Sequence, residues 1–164
     1  MKIALSSDHT GLDLLGRLQS FLQNQGHECV NFGPQELHQD DDYPDYMFPA
    51  AKAVANGECD FGVIIGGSGQ GEAMAANRVR GVRCAVYYGP VRPLGSIDAE
   101  GHAASDEYEI LRLSRQHNNS NVLSLAARFV VPQDAEKAVA LWLETPFSEV
   151  ERHQRRISKL DTAG

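Results

Sequence analysis

A hydroxyl and a carboxylate, Ser68 and Glu72, stand four residues apart in the most glycine-dense stretch of the chain. Ile64-Ile65-Gly66-Gly67-Ser68-Gly69-Gln70-Gly71-Glu72 places four glycines in six residues. Glycines let the backbone turn tightly and bring its amides close to a ligand. A following helix start adds unpaired N–H groups and partial positive charge, which favour an anion or an oxyanion. A donor, a row of amides and a base so close together point to chemistry more than to simple phosphate holding. The stretch is a poor nucleotide fingerprint. Gly67, Gly69 and Gly71 give GxGxG rather than GxGxxG, and no Lys-Ser/Thr pair closes the loop. A purely structural turn would leave the glycines around Ser68 and Glu72 unexplained.

Other chemistry-bearing residues are scattered. Asp8-His9 follows a first apolar run, where ligands bind in parallel sheets; the alternative is a helix cap with a solvated histidine. His117-Asn118 closes a helix, a place that the helix dipole also favours for histidine. His38 with Asp40, Asp41 and Asp42 could ligate a metal. Consecutive acids point in different directions, however, so a solvated loop is expected there. Arg152 and Arg156 are four apart and share a helix face, so they could clamp one phosphate. They could equally balance that helix's own dipole.

These residues need a scaffold, and the hydrophobic pattern supplies one. Strands are predicted at Lys2–Ser6, Glu28–Phe32, Phe61–Ile65, Val82–Tyr87 and Val122–Leu125. Leu12, Leu14, Leu15, Leu18, Phe21 and Leu22 recur at helical spacing and stop before Gly26. Further helices are expected over about 46–55, 72–78, up to Gln116, over 134–144, and as a basic helix over about 147–160. Strand and helix alternate, which predicts α/β architecture with a parallel sheet covered on both faces. One connection is out of scale: Tyr88 to about Glu107 is long and rich in glycine, proline and polar residues. Loops beyond about 12–15 residues tend to be lids or binding loops, and a lid beside the fourth strand's carboxyl end is expected here; a tolerated surface insertion is the alternative.

The 164 residues suit one domain, 1–164, with a real core. The net charge of −7 argues against a nucleic-acid or membrane surface. Cys29, Cys59 and Cys84 are far apart and lack CxxC spacing, so free thiols in a reducing compartment are expected. Met1–Leu5 meets Ser6-Ser7-Asp8 before a signal-peptide core could form, so the expected location is cytoplasmic.

Taken in order, Ser7-Asp8-His9-Thr10-Gly11, Asp42-Tyr43-Pro44-Asp45-Tyr46, Gly67-Ser68-Gly69-Gln70-Gly71, Ala75-Ala76-Asn77, Gly81-Val82-Arg83, His117-Asn118 and Arg152-His153 resemble the ribose-5-phosphate isomerase B family. That family also includes galactose-6-phosphate isomerase subunits. The resemblance implies a three-layer α/β/α sandwich with a five-stranded parallel, Rossmann-like sheet. It implies a homodimer or dimer of dimers with shared sites, and no metal or organic cofactor. It implies isomerisation of a sugar phosphate, foremost ribose 5-phosphate to ribulose 5-phosphate through an enediolate. The alternatives are a four- or six-carbon aldose phosphate, or a sugar-phosphate-binding module without catalysis. In this resemblance Glu72 is the base, Ser68 and the amides of Gly67, Gly69 and Gly71 stabilise the oxyanion, and His117 helps open the ring. Asp8 and His9 contact hydroxyls, Tyr43 and Asn118 are further contacts, and Arg128, Arg152 and Arg156 hold the phosphate. Many members carry a cysteine base where this chain has Gly66. The chain instead resembles the branch whose base is the glutamate.

Overall fold

The computed structural model describes residues 1–98 and 100–162. The apolar runs form β1 (Lys2–Ser7), β2 (Glu28–Asn31), β3 (Phe61–Gly66), β4 (Cys84–Tyr87) and β5 (Val122–Ala126). They pair in parallel in the order β2-β1-β3-β5-β4. The helices are α1 (Leu12–Asn24), α2 (Tyr43–Ala55), α3 (Gln70–Ala76), α4 (Glu109–Gln116), α5 (Pro132–Glu144) and α6 (Glu151–Asp161).

Alternation along the strands assigns the two faces. Ile3, Leu5, Val63, Ile65, Leu123 and Leu125 pack under α1, α4 and α5, whereas Ala4, Ile64 and Val122 pack under α2 and α3. Crossover handedness requires this division. The steps β1 to β2 and β4 to β5 run one way across the sheet, and β2 to β3 and β3 to β4 run the other. With right-handed crossovers, α1 and α4 must therefore lie on one face and α2 and α3 on the opposite one. The result is the expected three-layer sandwich. The winding reverses between β1 and β3, which opens a crevice above their carboxyl ends. The backbone enters that crevice still tied to β3, through Asp8 N–H donating to Ile65 O at 3.2 Å.

Several boundaries differ from the sequence expectation. α2 begins at Tyr43 rather than about 46, because Pro44 lies in the first turn, where no N–H is needed. α6 begins at Glu151 rather than about 147, after Pro146 and Glu149, whose φ is +55°. The connection after β4 is indeed long, but it is not a lid over the carboxyl ends of its own sheet. It folds back on itself, with Val91 N–H donating to Glu107 O at 2.8 Å. Val91, Leu94 and Ile97 run beside Ile110 and Leu113 of α4, around a cavity of about 330 Å³. Cys59 is buried, Cys29 and Cys84 are only half-buried, and all three are free thiols. Among the described residues no helix is long and apolar enough to cross a membrane.

Candidate active site

Most of the sequence-derived candidates converge at the crevice. Asp8 is buried, and its Oδ1 accepts from Thr10 N at 2.9 Å and from Thr10 Oγ1 at 2.6 Å. His9 Nδ1 lies 2.6 Å from Asp41 Oδ1, and His9 N donates to Asp41 Oδ2 at 2.9 Å. Because a carboxylate only accepts, the Nδ1 of His9 carries the proton, and Nε2 lies outside that bond. The hydrogen bond to Asp41 raises the His9 pKa above its ordinary value, and the charge of Asp8 adds to this. The backbone of Gly67 passes beside the Arg128 guanidinium and the Thr10 hydroxyl, and Gly71 lies against the Tyr43 ring. Ser68 is exposed at the loop's rim.

Gly69 makes the turn from loop to helix with φ +71°, while the buried Ser124 hydroxyl donates to its carbonyl at 2.7 Å. This turn drives Glu72 inward. The Glu72 side chain is only 4% exposed, and its Oε2 has no hydrogen-bond partner. Burial raises its pKa above the ordinary carboxyl value; its own backbone amide opposes this and the Asp8 charge reinforces it. A helix start and a buried site pull a carboxylate's pKa in opposite directions. Here burial wins, as a general base requires. The carboxyl group fits because position 66 is glycine: a Cβ there would lie 2.0 Å from both the Cδ and Oε1 of Glu72. A side chain at 66 and the Glu72 carboxyl cannot share this space.

His117, Asn118, Arg152 and Arg156 form a second group, at the opposite end of the sheet. β3 and β5 run in register from Gly62 beside Val122 to Gly66 beside Ala126, about 13 Å of strand. His117 precedes that span and the glycine loop follows it, so one chain does not bring them together. The turn carrying His117 and Asn118 is firmly held. Arg83 Nε donates to Asn118 O and Asn119 O, both at 3.1 Å. Buried Arg115 donates to Asn119 Oδ1 at 2.9 Å and to Thr145 O at 3.1 Å, and its guanidinium lies 4.8 Å over the Phe61 ring. His117 packs on His153, with ring centroids 4.2 Å apart, and His153 Nδ1 lies 2.9 Å from Ser148 Oγ. Burial, then the neighbouring charges of His117, Arg152 and Arg156, lower the His153 pKa. A neutral His153 therefore backs His117.

Sequence reasoning missed Asp41 and His153 as positioning residues. Asp41 had been weighed only as one of three loop acids, and its pairing with His9, 32 residues away, needed the tertiary structure. His38 does not take part in the cluster. The ligating group that does form is Asp8, His9 and Asp41, whose donor atoms lie within 4.8 Å of one another. Their geometry is that of an orienting network, with Asp41 engaged by His9 and Asp8 by Thr10.

The chain matches the family model described as Ribose/Galactose Isomerase over residues 3–92 and 102–160. It is 32% identical over 160 residues to ribose-5-phosphate isomerase B of Mycolicibacterium paratuberculosis, covering 98% of this chain and 89% of that one. The structure of ribose-5-phosphate isomerase B from Clostridium thermocellum superposes with TM-score 0.84 at 35% identity, covering 98% and 95%. That from Mycoplasma genitalium, with bound ribulose 5-phosphate, gives TM-score 0.82 at 36% identity, covering 98% and 93%.

Proposed function

We propose, from the premise that this chain belongs to the ribose/galactose isomerase family, that it interconverts ribose 5-phosphate and ribulose 5-phosphate through an enediolate. The observation that carries the mechanism is the buried Glu72 carboxyl beside the glycine loop, with one oxygen unpartnered and its pKa raised. His117 gives a proton to the ring oxygen while the C1 hydroxyl gives its proton to water, which opens the furanose, and His117 regains a proton from solvent. Glu72 takes the proton from C2, leaving negative charge on O1. Ser68 and the amides of Gly67, Gly69 and Gly71 stabilise that charge; one such donor contributes about 3–4 kcal/mol. As the O2 proton passes to O1, Glu72 returns its proton to C1, and a ketone remains at C2. Asp8, Tyr43 and the Nε2 of His9 position the sugar hydroxyls, and no metal or organic cofactor is assigned a step.

The two halves at opposite ends of the sheet support a site shared between chains. In a homodimer, or a dimer of dimers, His117, Asn118, Arg152 and Arg156 of one protomer close over the glycine loop of its partner, with Arg128 meeting the phosphate from the loop side. A groove of about 450 Å³ along α3, lined by Gln70, Met74, Asn77 and Arg78, offers a path for that contact, and Met74 on it is 63% exposed. Three free thiols suit the cytoplasm.

Proton NMR of ribose 5-phosphate in deuterated water tests the reaction. Growing ketose signals are the expected result, with deuterium entering C1 of the ketose and, by reversal, C2 of the aldose. Binding without ketose formation or exchange would replace the isomerase with a sugar-phosphate-binding module.

A further inference from the structure

Residues 93–101 lie outside the stretches that match the family model, and one of them reaches the second half of the site. Glu100 faces Arg152 with both carboxylate oxygens: Oε1 lies 2.9 Å from Nη1, and Oε2 accepts from Nη2 at 3.0 Å. This is the two-pronged geometry by which a guanidinium grips a carboxylate or a phosphate. Glu100 thus occupies the outer donors of Arg152 that a phosphoryl group would take. Arg156, one turn further along α6, pairs with no carboxylate among the described residues.

The turn that presents Glu100 is built by its neighbours. Asp98 Oδ1 accepts from Glu100 N at 3.1 Å and from His102 N at 3.0 Å, while Oδ2 lies 2.6 Å from His102 Nδ1. Ile97 N–H donates to His102 O at 2.9 Å, closing the tip. At the loop's base, Arg112 grips Asp106 with two hydrogen bonds of 2.7 and 2.8 Å. A carboxylate delivered on such a frame competes at an effective concentration of about millimolar or more.

We propose that Glu100 is an affinity-setting residue, an internal competitor for Arg152 that a phosphorylated ligand must displace. The inference rests on the reading of Arg152 as a phosphate ligand. A phosphoryl terminus carries about −1.5 to −2 charges near neutrality and outbids a single carboxylate. Displacing Glu100 costs every ligand that binds through Arg152 the same factor, set by the fraction of molecules in which Arg152 is free. The contact therefore sets the affinity for phosphorylated ligands and leaves ligands that do not use Arg152 untouched.

The test compares wild type with Glu100→Gln, using ribose 5-phosphate and its singly charged isostere ribose 5-sulfate. The KM for the phosphate should fall about two- to fivefold, the range of one exposed ion pair, with the change on KM rather than kcat. The affinity for the sulfate should rise by a similar factor, and that for unphosphorylated ribose should stay unchanged. In an Arg152→Gln background the Glu100 substitution should change none of these. An unchanged or raised KM, an equal gain for unphosphorylated ribose, or a gain that persists without Arg152 would overturn the proposal. Calorimetric titration with inorganic phosphate gives the same comparison without turnover. An enzyme that fails to isomerise ribose 5-phosphate would thus leave this inference separately decidable.

Discussion

Replacing Gly66 by alanine should uncouple activity from stability, because the three atoms nearest the added methyl all belong to the Glu72 carboxyl. The new Cβ would lie 2.0, 2.0 and 2.5 Å from the Cδ, Oε1 and Oε2 of Glu72. Ordinary contact between such atoms is about 3.5 Å, so the carboxyl must retreat by about 1.5 Å. A misplacement of about 1 Å at a reacting group can cost about 100-fold in rate. The expected loss in kcat/KM is therefore at least ~100-fold, about 2.7 kcal/mol of transition-state stabilisation. The fold should suffer much less. Gly66 does not have positive φ, and the displaced atoms end a flexible side chain, so overpacking should cost no more than about 1–2 kcal/mol. At this chain length that is a fall in Tm of a few °C, roughly 2–4 °C per kcal/mol. Initial rates of ketose formation and thermal melts would be measured for Gly66→Ala, Glu72→Ala and the double variant. With the carboxyl gone, the methyl loses its three closest contacts, so the substitution at 66 should cost less stability in the Glu72→Ala background than in the wild type. A Gly66→Ala enzyme within about threefold of wild-type kcat/KM would refute the placement of the base.

Glu72→Gln should abolish turnover while sugar-phosphate binding persists, and it should stabilise the protein at neutral pH. A carboxyl whose pKa is raised by burial holds its proton longer in the folded state, so its stability penalty grows as pH rises through that raised value. The Tm advantage of the glutamine variant should therefore vanish below pH 4.5, the ordinary carboxyl value, and melts across pH would show it. The acid limb of kcat/KM in the wild type should likewise lie above pH 4.5. Asp41→Asn should lower kcat/KM about ten- to hundredfold by freeing the His9 ring, with the His9 pKa, followed by NMR, moving down toward its ordinary value; an unmoved pKa would remove Asp41 from its positioning role. Mixing two inactive variants, Glu72→Gln and His117→Ala, under conditions that exchange subunits should restore about a quarter of wild-type activity. Half of the randomly formed dimers then hold one intact site. No recovery would mean that each chain completes its own site.

The architecture was legible in the residue order, which also supplied most of the candidates for the chemistry. Short apolar runs such as Ile3–Leu5 and Val63–Ile65 and helical spacing in Leu12–Leu22 are local signals. The family membership expected from the ordered motifs also follows from local signals, since motifs survive as contiguous letters. Glycine density around Ser68 and Glu72 was similarly readable, because a chain that must turn hard beside a ligand needs glycine in consecutive positions. Helix starts were less legible: Pro44 reads as a break, yet it belongs to the first turn of α2.

Tertiary structure alone decided what depends on distance across the chain. That Asp41 orients His9, and that His153 backs His117, are pairings of separate segments with no spacing to reveal them. The direction of the Glu72 shift depended on how deeply the carboxyl is buried against Gly66, a balance of desolvation and helix-end charge that composition does not carry. The long loop was visible as an oddity of length, but its contact with Arg152 reversed the expectation of a lid at the carboxyl ends. The separation of the two candidate groups was the least legible feature. Residues that read along the chain as one catalytic set lie at opposite ends of parallel strands. A parallel strand carries everything after it to one edge of the sheet and everything before it to the other.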